Sequence, residues 1–376
     1  MATHSDHHLT TTTGVLAGNE ATKGTEASNV DIVIGSSVTF TENVTDNPVD
    51  VNDHAAGQGL VETLQMQKDV GGALSFFLVD WRSFYWATGT DSVDELALKL
   101  TTGTFDTNEI VTMTPSGATF TPSAIGGVNP DIILTTGVIT GTPTVADTLL
   151  QAVTNAAGTM LAFIHDVSFA DILPGVTIAR LLTETAVNKA LKWLGMCVNT
   201  WTLNSARGER IAIDIDMVGI AEPAPAAIGG LARAAPTKSA WVWHNGVIVL
   251  NSDTFDGVCD NLNIEVQRNA RATGGHDYLP DDVIAGTRKA VVTMDMDLST
   301  INLRTLRQAN TKFTSVLSFI NTANTFQAVL TLANCQLTEE PIEVARDGDV
   351  VRVSATMQTG SMTGRIWTDI YNFGQL

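Results

Sequence analysis

The side chains best equipped for chemistry in this sequence are carboxylates. Asp214 and Asp216 stand at alternate positions, and so do Asp295 and Asp297. Asp46, Asp50 and Asp53 precede His54, and His276 and Asp277 precede Asp281 and Asp282. Carboxylate oxygens suit hard divalent cations, and a carboxyl pair can run acid–base glycoside cleavage. Neither chemistry finds its remaining parts here. No further ligand pattern surrounds the Asp-x-Asp pairs, and nothing frames a cleft around Asp281 and Asp282. No nucleophile elbow, phosphate loop, zinc-protease helix or EF-hand loop occurs. His4, His7 and His8 cluster in a polar N-terminal stretch that reads as unstructured. Cys197, Cys259 and Cys335 are odd in number, widely spaced and free of a CxxC pair, so they read as buried thiols. The seven Trp residues read as core or interface anchors. The sequence thus predicts no catalytic, cofactor or metal site.

The charge balance narrows the class further. Net charge is −19, with 40 acidic against 21 basic residues. Phosphate contacts need Lys and Arg, which argues against a cationic nucleic-acid binder. The acid is mostly Asp, 27 against 13 Glu, and Lys is scarce at 8. An Asp-rich, Lys-poor surface suits strong salt, where self-repulsion is screened. Only 16% of residues are charged and 44% are hydrophobic, so the chain can build packed cores. Its 376 residues suggest two or three domains. No apolar run reaches the roughly 18 residues that cross a bilayer. Residues 1–30 lack the basic and apolar regions of a signal peptide and read as an arm.

The elements that position the carboxylates come twice. Leu161–Ala162–Phe163–Ile164–His165 recurs as Leu317–Ser318–Phe319–Ile320–Asn321. Cys197 to Met217 resembles Cys335 to Met357. In each, a turn (Arg207–Arg210, Arg346–Asp349) leads to apolar residues at alternate positions: Ile211, Ile213, Ile215, Met217, then Val351, Val353, Ala355, Met357. That is strand periodicity. Upstream, Leu64 and Met66 match Met294 and Met296. Helices are predicted at Gly72–Trp86, from the spacing of Leu74, Phe77, Leu78, Trp81 and Tyr85, and at Thr300–Asn310 behind Ser299 as N-cap. Each copy carries a long loop between its first strands, at 43–59 and 270–286. The Pro- and Ala-rich stretch 221–240 reads as a linker.

The copies differ by an insertion at 90–157, rich in Thr, Gly and Pro. Its stretch Thr136–Gly137–Val138–Ile139–Thr140–Gly141–Thr142–Pro143–Thr144, followed by 149–158, resembles the closing strands of small immunoglobulin-like modules. The expected division is an arm at 1–30, a first β unit at 31–89 and 158–220, an immunoglobulin-like module at 90–157, a linker at 221–240 and a second β unit at 241–376. The expected fold class is mainly β (α+β), two sandwich or half-barrel units each with one helix.

That order of elements resembles the tail tube proteins of long-tailed bacterial and archaeal viruses. The resemblance rests on Trp241–Leu250 as a strand pair around His244–Gly246, on Leu262–Asn269, on a loop to Pro280, on Gly286–Leu298 leading into a helix, and on Gly195–Leu203 leading into Ile211–Gly219. With the composition, it points to a virus of a haloarchaeal host. It implies sheets that join across subunits into an inner barrel, stacked rings forming a channel for viral DNA, and a place in the virion tail. It also implies partners among tape-measure, terminator and baseplate or tip proteins, and no membrane. Family rings commonly show six tube domains, so two per chain imply a trimer with pseudo-sixfold symmetry, hexameric rings being the alternative. Asp214, Asp216, Asp295 and Asp297 then become candidate lumen residues. Asp46, Asp50, Asp53, His54, His276, Asp277 and Asp281 become candidate inter-ring loop residues. The competing classes are a surface adhesin with an immunoglobulin-like module and a virion-associated hydrolase.

Overall fold

A computed structural model of the 376-residue chain describes residues 14–28, 35–53, 59–128, 131–136, 138–183, 188–227, 238–243, 246–256, 259–274, 279–297, 303–321, 326–339, 342–343, 352–371 and 373. It is almost wholly antiparallel β, with two short helices. The first half runs β1 (Gly14–Asn19), β2 (Gly35–Asp53), β3 (Gly59–Leu78) and α1 (Arg82–Thr88). It continues through β4 (Gly89–Thr102), β5 (Val111–Thr114), β6 (Thr119–Phe120), β7 (Pro122–Val128), β8 (Asp131–Thr136), β9 (Thr148–Gln151) and β10 (Ala157–Phe169). It ends with β11 (Val176–Thr183), β12 (Asn188–Ala206), β13 (Ala212–Gly219) and β14 (Ala226–Ala227). The second half runs β15 (Val247–Leu250), β16 (Asp253–Asp256), β17 (Cys259–Gln267), β18 (Arg271–Gly274), β19 (Pro280–Ile284), β20 (Lys289–Asp297), α2 (Leu303–Gln308), β21 (Phe313–Asn321), β22 (Phe326–Glu339), β23 (Ile342–Glu343), β24 (Arg352–Thr359) and β25 (Ser361–Thr368).

Strand pairing builds one wide sheet across both halves. Its order is β2, β3, β13, β12, then β17, β20, β24, and last the end of β22 with β23. The first four strands belong to the first half and the rest to the second. They meet where Thr200 to Ala206 of β12 pairs with Gln267 to Asn261 of β17. A second layer covers one face: β1, β11, the start of β12 and β14 in the first half, and β16, β15, β21, the start of β22 and β25 in the second. β12 and β22 each cross from one layer to the other. Gly195 makes the first crossing, with φ +64 and Ile220 so close that a Cβ would sit 2.6 Å from its Cδ1.

Between the layers lies the main core. Leu74, Ile213, Ile215, Met217, Trp201, Ile264, Val292, Met294 and Met357 come from the wide sheet, Trp81 from the residue just before α1, and Phe84 and Trp86 from α1. α1 begins where Asp80 accepts the Arg82 amide at 3.0 Å. It stops at Gly89, whose left-handed backbone donates to the Tyr85 carbonyl. Between β4 and β10 a separate core forms from Leu96, Leu98, Val111, Met113, Phe120, Leu134, Leu149 and Phe163. β10 also pairs with β25, so this segment is stitched to the second half.

Register corrects the expected equivalences. Val176 pairs with Met196, and Phe313 with Cys335, each just before a bulge. So β21 matches β11, and Leu317–Asn321 does not match Leu161–His165, which lies in β10. Val198 and Leu337 face Met217 and Met357, so Cys197 matches Gln336 rather than Cys335. Ile215 faces Leu74 and Ala355 faces Met294, so the match of Met294 and Met296 is Leu74 and Phe76, ten residues beyond Leu64 and Met66. Gly72 to Leu78 is strand, not helix: Leu74, Phe76 and Leu78 alternate inward, and Phe77 faces the other side. A hairpin near residue 250 turns at Asn251 and Ser252, whose φ values are positive, and the expected turn at His244 and Asn245 lies outside the described residues. On this register the first-half segment without a counterpart runs from Gly89 to Gly175. Ser299 and the turn 346–349 lie outside the described residues.

Candidate inner face and sheet borders

The uncovered face of the wide sheet is polar. One cross-strand row reads Ser75, Asp214, Thr202, Glu265, Val291, Gln358, Gln336. The next reads Phe77, Ala212, Asn204, Asn263, Thr293, Thr356, Glu339. Asp214, Asp216 and Asp295 all point from this face. Asp297 stands opposite Arg352 at the end of β20, and its side chain lies outside the described residues.

The carboxylates are held by neutral donors. Ser75 donates to Asp214 at 2.6 Å and Asn204 donates to its other oxygen at 3.0 Å. Asn199 donates to Asp216 at 2.7 Å, and Asn261 to Asp295 at 3.1 Å. Gln267 donates to Glu265 at 2.8 Å. Among the described residues no Lys or Arg pairs with these acids, and Lys289 stands on the same face in the cross-strand row of Asp216, Thr200 and Gln267. Such a surface repels a polyanion.

Two borders of the sheet are open. Among the described residues β2 has no strand beyond it, and neither does the end of β22 with β23. Unpaired edge N–H and C=O groups are a template for another chain.

The expected loops are hairpins. The first is the outer half of β2 and β3, with Asp46 opposite Lys68, Asp50 opposite Thr63 and Asp53 opposite Gly59. The side chains of Asp46, Asp50 and Asp53 lie outside the described residues, as do His54, His276 and Asp277 entirely. The second hairpin is β18 with β19. Its Asp281 is exposed, and Asp282 pairs with Lys23 at 3.0 Å. This hairpin lies over the end of the first half, where Val283, Ala270, Cys197, Ile220 and Leu173 form a buried cluster. Burial pushes the Cys197 thiol up to about 12. Cys259 is pushed up to about 12 and Cys335 to about 11, also by burial. All three are reduced and buried, as expected.

Sequence reasoning passed over Arg268. It is 1% exposed and holds the stems of the 89–175 segment. Its guanidinium donates to Ala87 O at 3.0 Å, Thr88 O at 2.9 Å and Ala170 O, and lies over Phe169. Burial lowers its pKa. His165 was also missed. It is buried, bonded to Asp91 at 2.7 Å and Ile370 O at 2.6 Å, and stacked on Phe373. Its signal was a lone His within an apolar strand, which reads as packing rather than chemistry. Among the described residues no cluster of His, Cys, Asp and Glu could hold a metal. No helix among them is long and apolar enough to cross a membrane.

The architecture defines a mainly β protein whose distinctive surfaces, among the described residues, are a broad polar sheet face and two open sheet borders. Residues 10–359 match the family model described as phage tail tube protein, and the chain belongs to that family. The family is structural rather than enzymatic and its members are components of the virion tail. A search among curated proteins finds no match to the chain.

Proposed function

We propose that three copies of this chain close into a ring whose inner wall is the wide sheet, and that stacked rings form the channel through which viral DNA leaves. The observation that carries this reading is the junction inside the chain. β12, the last wide-sheet strand of the first half, pairs with β17, the first of the second half. β22 with β23 holds in the second half the place that β12 holds in the first, bulge included. β2 likewise matches β17, since both flank their partner strands in the same register. The pair left open at the two borders is therefore the pair already joined in the middle. Repeating that junction between chains makes a heterologous contact that closes on rotation and removes both edges. Eight strands per chain make three chains a barrel well beyond the roughly 16–18 strands that already leave an aqueous channel.

The open polar face then lines the lumen. Asp214, Asp216, Asp295 and Asp297 keep DNA from adhering. Residues 89–175 form a module on the outer layer, inserted within the first β unit, whose two segments flank it in sequence, and the second β unit follows. The tape-measure, terminator and tip proteins are the expected tail partners. The Asp-rich, Lys-poor composition suits a host living in strong salt, and so a haloarchaeal virus. Negative-stain microscopy of the purified chain in molar salt tests the reading. Rings with three equal subunits, alone or stacked, support it; globular monomers at every concentration would end it.

A further inference from the structure

The two halves end in equivalent places with opposite surfaces. In the first half, the ends of β12 and β13 carry Cys197, Val218 and Ile220, and the β18–β19 hairpin covers them with Ala270 and Val283. That hairpin grows from β17, the strand seated beside β12. In the second half, the matching ends of β22 and β24 carry Gln336, Gln358 and Gly360. There an open cavity of about 550 Å³ remains. Gly360 stands where Ile220 stands in the first half, and a Cβ added to it would meet nothing within 4 Å. Lys289 and Lys312 rim the cavity, as does Arg288, which pairs with Asp171 at 3.6 Å. Among the described residues neither Lys289 nor Lys312 has an ion-pair partner. In a chain of net charge −19 this is an unusual concentration of cations.

We infer that this basic cavity is the seat of the β2–β3 arm of a second copy of this chain. The inference rests on the ring reading above. The neighbour's β2 would lie beside β22 and β23, as β17 lies beside β12. Its arm would then rise next to the cavity, where β18–β19 rises next to Cys197. The charges are complementary. Residues 45–67 of the arm include Asp46, Asp50, Asp53 and Glu62 and no Lys or Arg. Arg268, at the base of the covering hairpin, is matched in the arm by Asp46, because Gln267 and Thr45 occupy equivalent register positions. Inside the chain the hairpin sets Val283 and Ala270 on an apolar seat and pairs Asp282 with Lys23 beside it. Between chains an acidic arm covers a basic seat. A seat that stays wet until a partner arrives is better polar.

The test is a charge swap in the full chain. Ring formation is followed by sedimentation velocity at the lowest salt in which the unmodified chain assembles. Lys289→Glu with Lys312→Glu should raise the concentration needed for rings about tenfold, with the monomer's melting temperature unchanged. Adding Asp46→Lys and Asp50→Lys to the same chain should bring it back to within about threefold of the unmodified protein. Rings that form equally well with both lysines reversed would overturn the arm's seat and leave the ring standing. So would a loss that the reciprocal change does not repair. An unmodified chain that never forms rings would overturn the ring itself, and the seat with it.

Discussion

The two ends of the wide sheet occupy equivalent positions yet present different chemistry. At the first-half end, Val283 is fully buried against Cys197 and Ile220. At the second-half end, Gln336, Gln358, Lys289 and Lys312 stand open around a cavity. In the proposed ring the difference follows from when each seat is covered. A hairpin of the same chain arrives during folding, so hydrophobic burial can hold it, at about 25 cal/mol per Å² of apolar surface. A hairpin from another molecule arrives after folding. An apolar patch waiting for it would invite unspecific association, while charge steers the right partner and rejects the wrong one.

The comparison can be broken most forcefully at Arg268. Arg268→Ala takes the guanidinium donor from the carbonyls of Ala87, Thr88 and Ala170, of which Thr88 keeps the Ala170 amide, and should cost about 3 kcal/mol. Thermal or urea unfolding of the monomer reads this directly, and an unchanged midpoint would mean the clasp contributes nothing. A smaller effect is expected beneath the hairpin. Val283→Ala removes two methyl groups from the filled seat and should cost about 2 kcal/mol. It should also speed alkylation of Cys197 relative to Cys335 at pH 8. In the unmodified chain all three thiols should resist the reagent, since burial and pKa values near 11 to 12 leave almost no thiolate. Equal protection of Cys197 in the variant would separate the hairpin from the seat. On the open end, by contrast, Lys289→Glu with Lys312→Glu should move monomer stability by no more than about 0.5 kcal/mol. An equally small effect on stability is expected on the polar face. Replacing Asp214, Asp216 and Asp295 by Asn should leave unfolding within about 0.5 kcal/mol, and replacing them by Lys should create retention of duplex DNA in a low-salt filter assay. Retention by the unmodified chain would contradict a repelling face.

Much of the fold was legible because the wide sheet has one dry and one wet face. Ile211, Ile213, Ile215 and Met217 announce a strand by alternation, and so do Val353, Ala355 and Met357. The polar partners of that alternation, Asp214, Asp216 and Asp295, do share one face. What misled was local similarity without register. Leu-x-Phe-Ile occurs in both β10 and β21, yet Leu317 and Phe319 pack in the main core while Phe163 packs in the separate core beside β4 and Leu161 is exposed. The helix was started too early because Phe77 and Trp81 completed a helical spacing with Leu74 and Leu78. Phe77 in fact lies on the open face, and the chain turns only after Val79. The loops were read as loops because Asn, Asp and Gly dominate them, yet the arm of β2 and β3 is a ladder from Val44 to Asp53. The two seats were invisible in one dimension. Cys197, Val283 and Ile220 stand far apart in the chain, and only pairing across the midpoint brings them together.

Electron cryomicroscopy of the assembled chain tests the central claim most directly. The account calls for a threefold ring in which β22 and β23 of one subunit pair with β2 of the next, in the register that β12 and β17 already show within each subunit. A sixfold ring of whole chains, or one in which these borders remain unpaired, would contradict it.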